Sequence, residues 1–550
     1  MARWASAVRG GRRRYAVAAV VAVMGLLGAA CGDDDDGGTG ASGEATTGAP
    51  SATSEATSAN TTAPDDDVDP AGVVRWGTDL IATPKHFDPI KTQVPTVDLV
   101  HMSLVYDTLL RPTLDGGFEP SLATEATIVD PRTIEVQLRE GVAFSDGTPF
   151  DANAVKASIE RNQACAQCTG FQAELKEIAS VEVVDPTSFR LHLKSDNAGA
   201  VYALLAQMET VTPSPAALAA GTDLETQPVG AGPFVLERFE PERVMVFAKN
   251  ERYWNADAVK LAGIEFVHTP AGQPILNALR SGTIDIANID PTALDGLGNE
   301  FSTDVRTSET NMLWMPVCKR QAPFDDVRVR QALSYAIDRD AVNEALLDGR
   351  GEVMWGLWSS ASRFHDPTLE DHYAYDPERA RALLAEAGYA DGFSADIGGT
   401  PTPIVTRFAE VLQQQWGEVG VRLNIVSSAN FTQEFYAENR MPLGIIPSTR
   451  NGLVKITGPF QPGSFGNVCQ YSDPELDAII NQLRVVQPDS DEAIELWADA
   501  QQLVLGKALS FWITFLPVVH AWDGDRLGGM DFISYSTTPM PDFFKLYVKA

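Results

Sequence analysis

Leu138-Arg-Glu-Gly-Val-Ala-Phe144-Ser-Asp146-Gly147-Thr148-Pro149-Phe150 is the stretch on which the reading of this chain turns. Into it runs Thr133-Ile-Glu-Val-Gln-Leu138, which places Ile134, Val136 and Leu138 on one side, the period of a half-exposed strand. Asp146-Gly147 then makes a tight turn of the kind glycine permits. Asp151 can cap a helix running through Val155 and Ile159. The segment thus reads strand, turn, helix. The strand has a twin in Ser188-Phe-Arg-Leu-His-Leu193, which alternates in the same way. Val129-Asp130-Pro131 and Val184-Asp185-Pro186 lead into the two strands as Asp-Pro turns, so each strand is predicted to close a hairpin.

The same mixture continues outward. Phe234–Phe239 and Val244–Phe247 are predicted to form a hairpin across Glu240-Pro241-Glu242-Arg243. Asp325 or Asp326 can cap a helix with Val329, Ala332, Leu333 and Ala336 on one face. Asp376-Pro377 starts another, with Ala380, Leu383, Leu384 and Ala387 as its apolar face and Gly388 as its stop. The fold class is therefore α/β.

Composition bounds the function. The chain has 550 residues, 44% hydrophobic, enough for a large core, and a net charge of −32. Nucleic acid is excluded as a partner, because a phosphate backbone calls for a basic surface. Reaction machinery is missing as well. There is no Gly-x-Ser-x-Gly elbow, no His-Glu-x-x-His and no phosphate loop. The histidines do not pair at helical spacing, and His365 with His372 among Asp366, Glu370 and Asp371 reads as a solvated loop, not a metal site. No catalytic residue, metal or cofactor is assigned, and the chain is expected not to be an enzyme.

The N-terminus reads as an address and an anchor. Arg9 to Arg14 is a positive region and Tyr15 to Leu27 an apolar run of signal-peptide length, shorter than a membrane span. Gly28, Ala29 and Ala30 precede Cys31, and the junction resembles a bacterial lipobox, with Gly28 where a larger aliphatic is usual. Residues 1–30 are expected to be removed and Cys31 acylated. Asp33 to Asp36 and a Gly/Ala/Ser/Thr/Pro mixture follow, with no aromatic before Trp76. Such a segment cannot bury enough apolar surface to fold, so 31–72 reads as a tether.

Four cysteines remain, Cys165, Cys168, Cys318 and Cys469, in a compartment that favours disulfides. Three pairings are possible. Cys165–Cys168 with Cys318–Cys469 is preferred because the first pair is local. A zinc reading of Cys165-Ala-Gln-Cys168 lacks partner ligands, and a redox reading lacks a surrounding βαβ pattern.

The opening stretch belongs to a longer series. Tyr106-Asp-Thr-Leu-Leu110 and Pro120-Ser-Leu-Ala123 precede it; Val229-Gly-Ala-Gly-Pro-Phe234 and Asn250-Glu-Arg-Tyr253-Trp254 follow. Then come Pro323-Phe324-Asp-Asp-Val327-Arg328-Val329-Arg330-Gln331-Ala332-Leu333, Tyr375-Asp-Pro377 and Tyr471-Ser-Asp-Pro474-Glu475-Leu476-Asp477. In order and content this resembles the extracytoplasmic solute-binding proteins of peptide/nickel importers, family 5, cluster C. The resemblance implies a two-lobed periplasmic-binding-protein-like fold with an extra subdomain in lobe one. Lobe one would hold 73–112, 225–311 and 520–550, the subdomain 113–224, and lobe two 312–519. It implies hinge crossings near 311 and 520, and a structural role for the motif residues, with Arg328 and Arg330 anchoring a helix start. It also implies a lipoprotein at the outer face of the cell membrane or in the periplasm, which captures a small solute and hands it to the permease subunits of an ABC importer. A monomer is expected. The alternative is an envelope receptor or scaffold on the same fold.

A cleft lined by aromatics with a few polar groups is the expected capture site. Candidate ligand contacts are Trp355, Trp358 and Arg363 in one loop-like stretch, Arg450 as an exposed loop cation, His86 and Phe87, and Trp314 and Trp522. In peptide-binding members an acid in the segment before the final Tyr-x-x-Pro-Glu-x-Asp clamps the peptide amino group. Here no acid lies between Glu438 and Asp473. Peptide, oligosaccharide, metallophore and organic acid stay open as solutes.

Overall fold

A computed structural model describes residues 67–79, 87–91, 98–165, 172–450, 452–533 and 539–550. The predicted signal segment, Cys31, the tether as far as residue 66, His86 and Cys168 lie outside these residues. Positions 67–72, assigned to the tether from sequence, instead pack on the folded body, with Val68 bridging Lys549 and the Asp69 N–H donating to the Val548 carbonyl at 2.8 Å. Residues 62–550 form one compact unit. No described helix is long and apolar enough to cross a membrane.

The opening stretch folds as its pattern requires. Strand Thr133–Leu138 buries Ile134, Val136 and Leu138. Gly147 takes φ +86°, and the turn closes by Phe144 N–H donating to the Thr148 carbonyl at 2.8 Å. Asp146 accepts from the Thr148 N–H at 2.9 Å and from the Ser214 hydroxyl at 2.6 Å, so its carboxylate ties the turn to the chain behind it. Helix Ala152–Ala164 begins at Asp151, whose side chain accepts from the Ala154 N–H. The two hairpins, Ala123–Asp130 with Thr133–Leu138 and Ile178–Asp185 with Ser188–Leu193, join through their second strands into a four-stranded antiparallel sheet over its own core.

A nine-stranded mixed sheet carries the rest. Its order is Ile446–Thr449, Ser302–Pro316, Ser510–Trp522, Ile286–Ile289, Val73–Thr78, Gly263–His268, Val244–Lys249 and Phe234–Glu240, with Glu352–Val353 added to Ser510–Trp522. The two longest strands, Ser302–Pro316 and Ser510–Trp522, form an antiparallel ribbon from Ser302↔Trp522 to Pro316↔Ser510. Its register slips between Thr307 and Met312, where Pro517 stands opposite Thr307. Proline cannot donate to the ladder, which weakens pairing at that point. The Thr307 hydroxyl donates to the Glu352 carboxylate at 2.6 Å instead.

The other helices follow their sequence signals. Asp326 caps Val327–Tyr335, and Asp376 caps Pro377–Glu386, which ends before Gly388 at φ +91°. Arg328 pairs with Asp326 at 2.6 Å, and Arg330 donates to the carbonyls of Phe324 (2.8 Å) and Lys507 (2.7 Å), pinning the helix start. Cys318 and Cys469 are bonded across 151 residues of chain. Cys165 is also disulfide-bonded.

Candidate functional site

A cavity of about 160 Å³ lies between two walls drawn from distant parts of the chain. One wall is the turn after strand Leu110–Pro112, with Gly116, Gly117 and Phe118, and helix Ala198–Leu204, with Ala200, Ala203 and Leu204. The other holds Trp358, Phe364 and Trp497, then Leu453, Val454 and Leu483, with Thr310 from the long ribbon. A second cavity, beside Ile397 and Val405, measures about 10 Å³, room for one water at most.

Close approach of the walls depends on two glycines. A Cβ on Gly199 would run into the backbone carbonyls of Val486 and Leu483. Its N–H donates to the Arg484 carbonyl at 2.7 Å. A Cβ on Gly117 would run into the Arg363 guanidinium. Arg363 in turn donates from Nη2 to Asp115 Oδ2 at 2.8 Å and from its backbone N–H to the Asp115 carbonyl at 3.0 Å. Burial would raise the Asp115 carboxyl, but hydrogen bonds from Thr113 and Arg363 hold it below the ordinary carboxylate range. Arg484 completes the bridging, with Nη1 on Asn197 Oδ1 at 2.9 Å and Nη2 on Gln461 Oε1 at 2.8 Å. Burial lowers its pKa, while Glu174 and Glu177 act in the opposite sense.

The aromatic wall is a cluster. Trp358 meets Phe364 at 4.7 Å between ring centroids and Trp497 at 4.9 Å, nearly edge-on. Behind it the Lys455 ammonium sits 4.5 Å from the Trp358 ring and donates to the Leu357 carbonyl at 2.9 Å. A cation against an aromatic face favours that ring's orientation.

The sequence-predicted contacts divide. Trp358 lines the cavity, and Arg363 bridges the walls beside it. Trp355 stands outside the lining, facing Arg339 at 5.6 Å. Arg450, expected as an exposed loop cation, has its guanidinium packed 5.1 Å over the Trp314 ring and against Tyr436. Strand pairing turns it inward, its N–H donating to the Thr310 carbonyl at 2.9 Å, and burial pulls its pKa down. Trp314 is fully buried and stacked on Trp512 at 5.2 Å, so it is core and not cleft. Phe87 is core as well, against Phe247, and Trp522 packs on the same cluster. Sequence reading missed Phe364, Trp497, Phe118 and Arg484. Phe364 and Trp497 carry no local mark that separates a cleft aromatic from a core one. Among the described residues no cluster of His, Cys, Asp and Glu could hold a metal ion.

Comparison with known proteins accords with this geometry. A profile of bacterial extracellular solute-binding proteins, family 5 (middle region), matches residues 117–497. Heme-binding protein A of Haemophilus influenzae is 29% identical over 442 residues, covering 73% of this chain and 79% of that protein. Glutathione-binding protein GsiB of Escherichia coli K12 is 31% identical over 311 residues, 56% of this chain and 60% of that protein. The crystal structure of an ABC transporter substrate-binding protein from Sinorhizobium meliloti superposes with a TM-score of 0.70 at 25% identity, covering 87% of this chain and 100% of that one. A two-lobed α/β fold, a cavity between walls and a family profile across most of the chain lead to one conclusion: this chain belongs to the bacterial extracellular solute-binding proteins of family 5.

Proposed function

We propose that the chain is an exported lipoprotein, anchored through Cys31, that captures a small solute in the cavity behind Trp358 and delivers it to an ABC importer. The carrying observation is the cavity itself, its walls bridged by hydrogen bonds and an ion pair between segments far apart in sequence. In this reading 73–112 with 225–311 and 520–550 form lobe one, 113–224 its added subdomain and 312–519 lobe two. Capture closes them about the slipped ribbon at Thr307 and Pro517. The protein works as a monomer and performs no chemistry on its cargo.

Relatives named for heme and for glutathione differ too much in cargo to assign either here. The test is thermal unfolding of the ligand-free chain with pools of peptides, oligosaccharides, metal chelates including heme, and organic acids. A ligand at a hundred times its dissociation constant adds about 2.7 kcal/mol. A shift with one pool supports capture and names the class. No shift with any pool moves the reading to a receptor or scaffold.

A further inference from the structure

The lining of the cavity says more about its occupant than the family does. Of its described lining residues only Glu174 and Arg484 carry charge. Arg484 already donates to Asn197 and Gln461, and Glu174 lies close enough to oppose the burial effect on it. The cations around the cavity are engaged in the same way. Arg363 is held by Asp115, Lys455 by the Leu357 carbonyl, and Arg450 lies behind Thr310 against Trp314 and Tyr436. Burying a charged ligand costs several kcal/mol unless the site supplies a partner charge. For an anion that partner would have to be taken from bonds the protein already makes; for a cation the lining offers only Glu174, whose charge already offsets the burial of Arg484.

Shape narrows the occupant further. A space of about 160 Å³ suits a single ring, since an apolar protein cavity of about 150 Å³ can hold benzene. The Trp358, Phe364 and Trp497 cluster offers ring edges and faces on one side, with Phe118 and Leu204 opposite. Gln207 and Thr457 add an amide and a hydroxyl to this lining. A polar group that leaves water for the cavity costs free energy unless it finds a hydrogen-bond partner, so a ligand oxygen that accepts from one of these two side chains is favoured.

Building on the capture reading, we propose that the cargo is a compact, uncharged, ring-bearing solute with a carbonyl or hydroxyl group that accepts a hydrogen bond. Charged amino acids, peptides and organic acids are then poor cargo.

The test keeps the ring constant and varies the charge. Benzamide, benzyl alcohol, benzoate, benzylamine and phenylalanine are titrated into the full chain, following tryptophan fluorescence and ligand-observed NMR. Two cavity-filling variants, Ala203→Trp and Thr457→Phe, are titrated in parallel, because they fill the space from opposite walls and either may fold if the other does not. The expected result is benzamide or benzyl alcohol binding at least 10-fold tighter than the three charged probes, with binding lost in the filling variants. Benzoate, benzylamine or phenylalanine binding as tightly as the neutral probes, and lost on filling, overturns the solute class and leaves capture standing. Binding of no probe, or binding that filling does not change, overturns the solute class; capture itself falls only if the pooled ligands of the unfolding test also fail to shift the midpoint.

Discussion

Replacing Asp115 by Asn keeps the shape of the turn and removes the charge that holds Arg363 across the cavity. The pair is 2.8 Å apart, but its side chains remain 29% (Arg363) and 47% (Asp115) exposed. Ion pairs so exposed are worth about 0.2–1 kcal/mol, far below the contact Coulomb energy, because solvent screens them. That range corresponds to an opening constant raised roughly 1.4- to 5-fold. The assay needs no ligand. The Gly199 N–H donates to the Arg484 carbonyl across the cavity, and the Arg363 N–H donates to the Asp115 carbonyl, so both amides exchange when the walls part. Asp115→Asn should speed their exchange by roughly 1.4- to 5-fold and leave amides of strand Gly263–His268 unchanged. Salt supplies the control. Raising ionic strength from about 0.1 M to about 1 M shortens the Debye length from about 10 to about 3 Å, so it should speed exchange in the wild type more than in the variant. A double-mutant cycle with Arg363→Gln separates the pair from the backbone bond beside it. Unchanged Gly199 exchange in Asp115→Asn, with equal salt dependence in both proteins, would refute the latch.

Other outcomes follow from the same geometry. Gly199→Ala forces a Cβ against backbone carbonyls that cannot yield, and should cost about 1–3 kcal/mol in thermal unfolding; an unchanged midpoint would show that the walls do not pack as described. Removing the Cys318–Cys469 bridge by paired Ser substitutions frees a loop of 151 residues, for which chain entropy gives about 5 kcal/mol as an upper figure; a melting point insensitive to reductant would contradict it. His520 and His101 are buried, and burial lowers their pKa values to about 3 and about 4, with Arg306 adding to the effect at His520. The unfolded chain takes up these protons below its ordinary value of about 6.5 and the folded chain does not. Stability present above about pH 6.5 is therefore lost as pH falls toward those depressed values, read as a falling urea midpoint between pH 7 and 4.5. His520→Phe should flatten that fall, and an unaltered slope would sink the assignment.

The fold was legible where local chemistry decides it. The strand at Ile134, Val136 and Leu138, the turn at Gly147 and the caps at Asp151, Asp326 and Asp376 each depend on a few adjacent residues. The site was legible only in part, because its walls meet through tertiary approach. Trp358 lines the cavity while Trp355, three positions earlier in a stretch that read the same way, does not. Phe118 and Trp497 come together from either end of the family match, and nothing within either segment announces the other.

Arg450 shows most plainly where sequence reading stops. Pro447-Ser-Thr-Arg450-Asn-Gly452 has the composition of a solvated loop, and a cation in it reads as a free hand for an anionic solute. The structure pairs Ile446–Thr449 with the long ribbon at Asn311 to Trp314, which carries Arg450 inward onto Trp314. A pairing partner more than 130 residues away thus decides whether that charge faces solute or core. The same inward turn bears on cargo. With Arg450 sequestered, Arg363 latched and Arg484 bonded to two amide oxygens, the cavity keeps aromatic faces and hydrogen-bond donors but no uncommitted positive charge among the described residues. An anionic solute must therefore break a contact that holds the walls together in order to bind between them. A neutral ring need not, and that difference in cost is what favours neutral cargo.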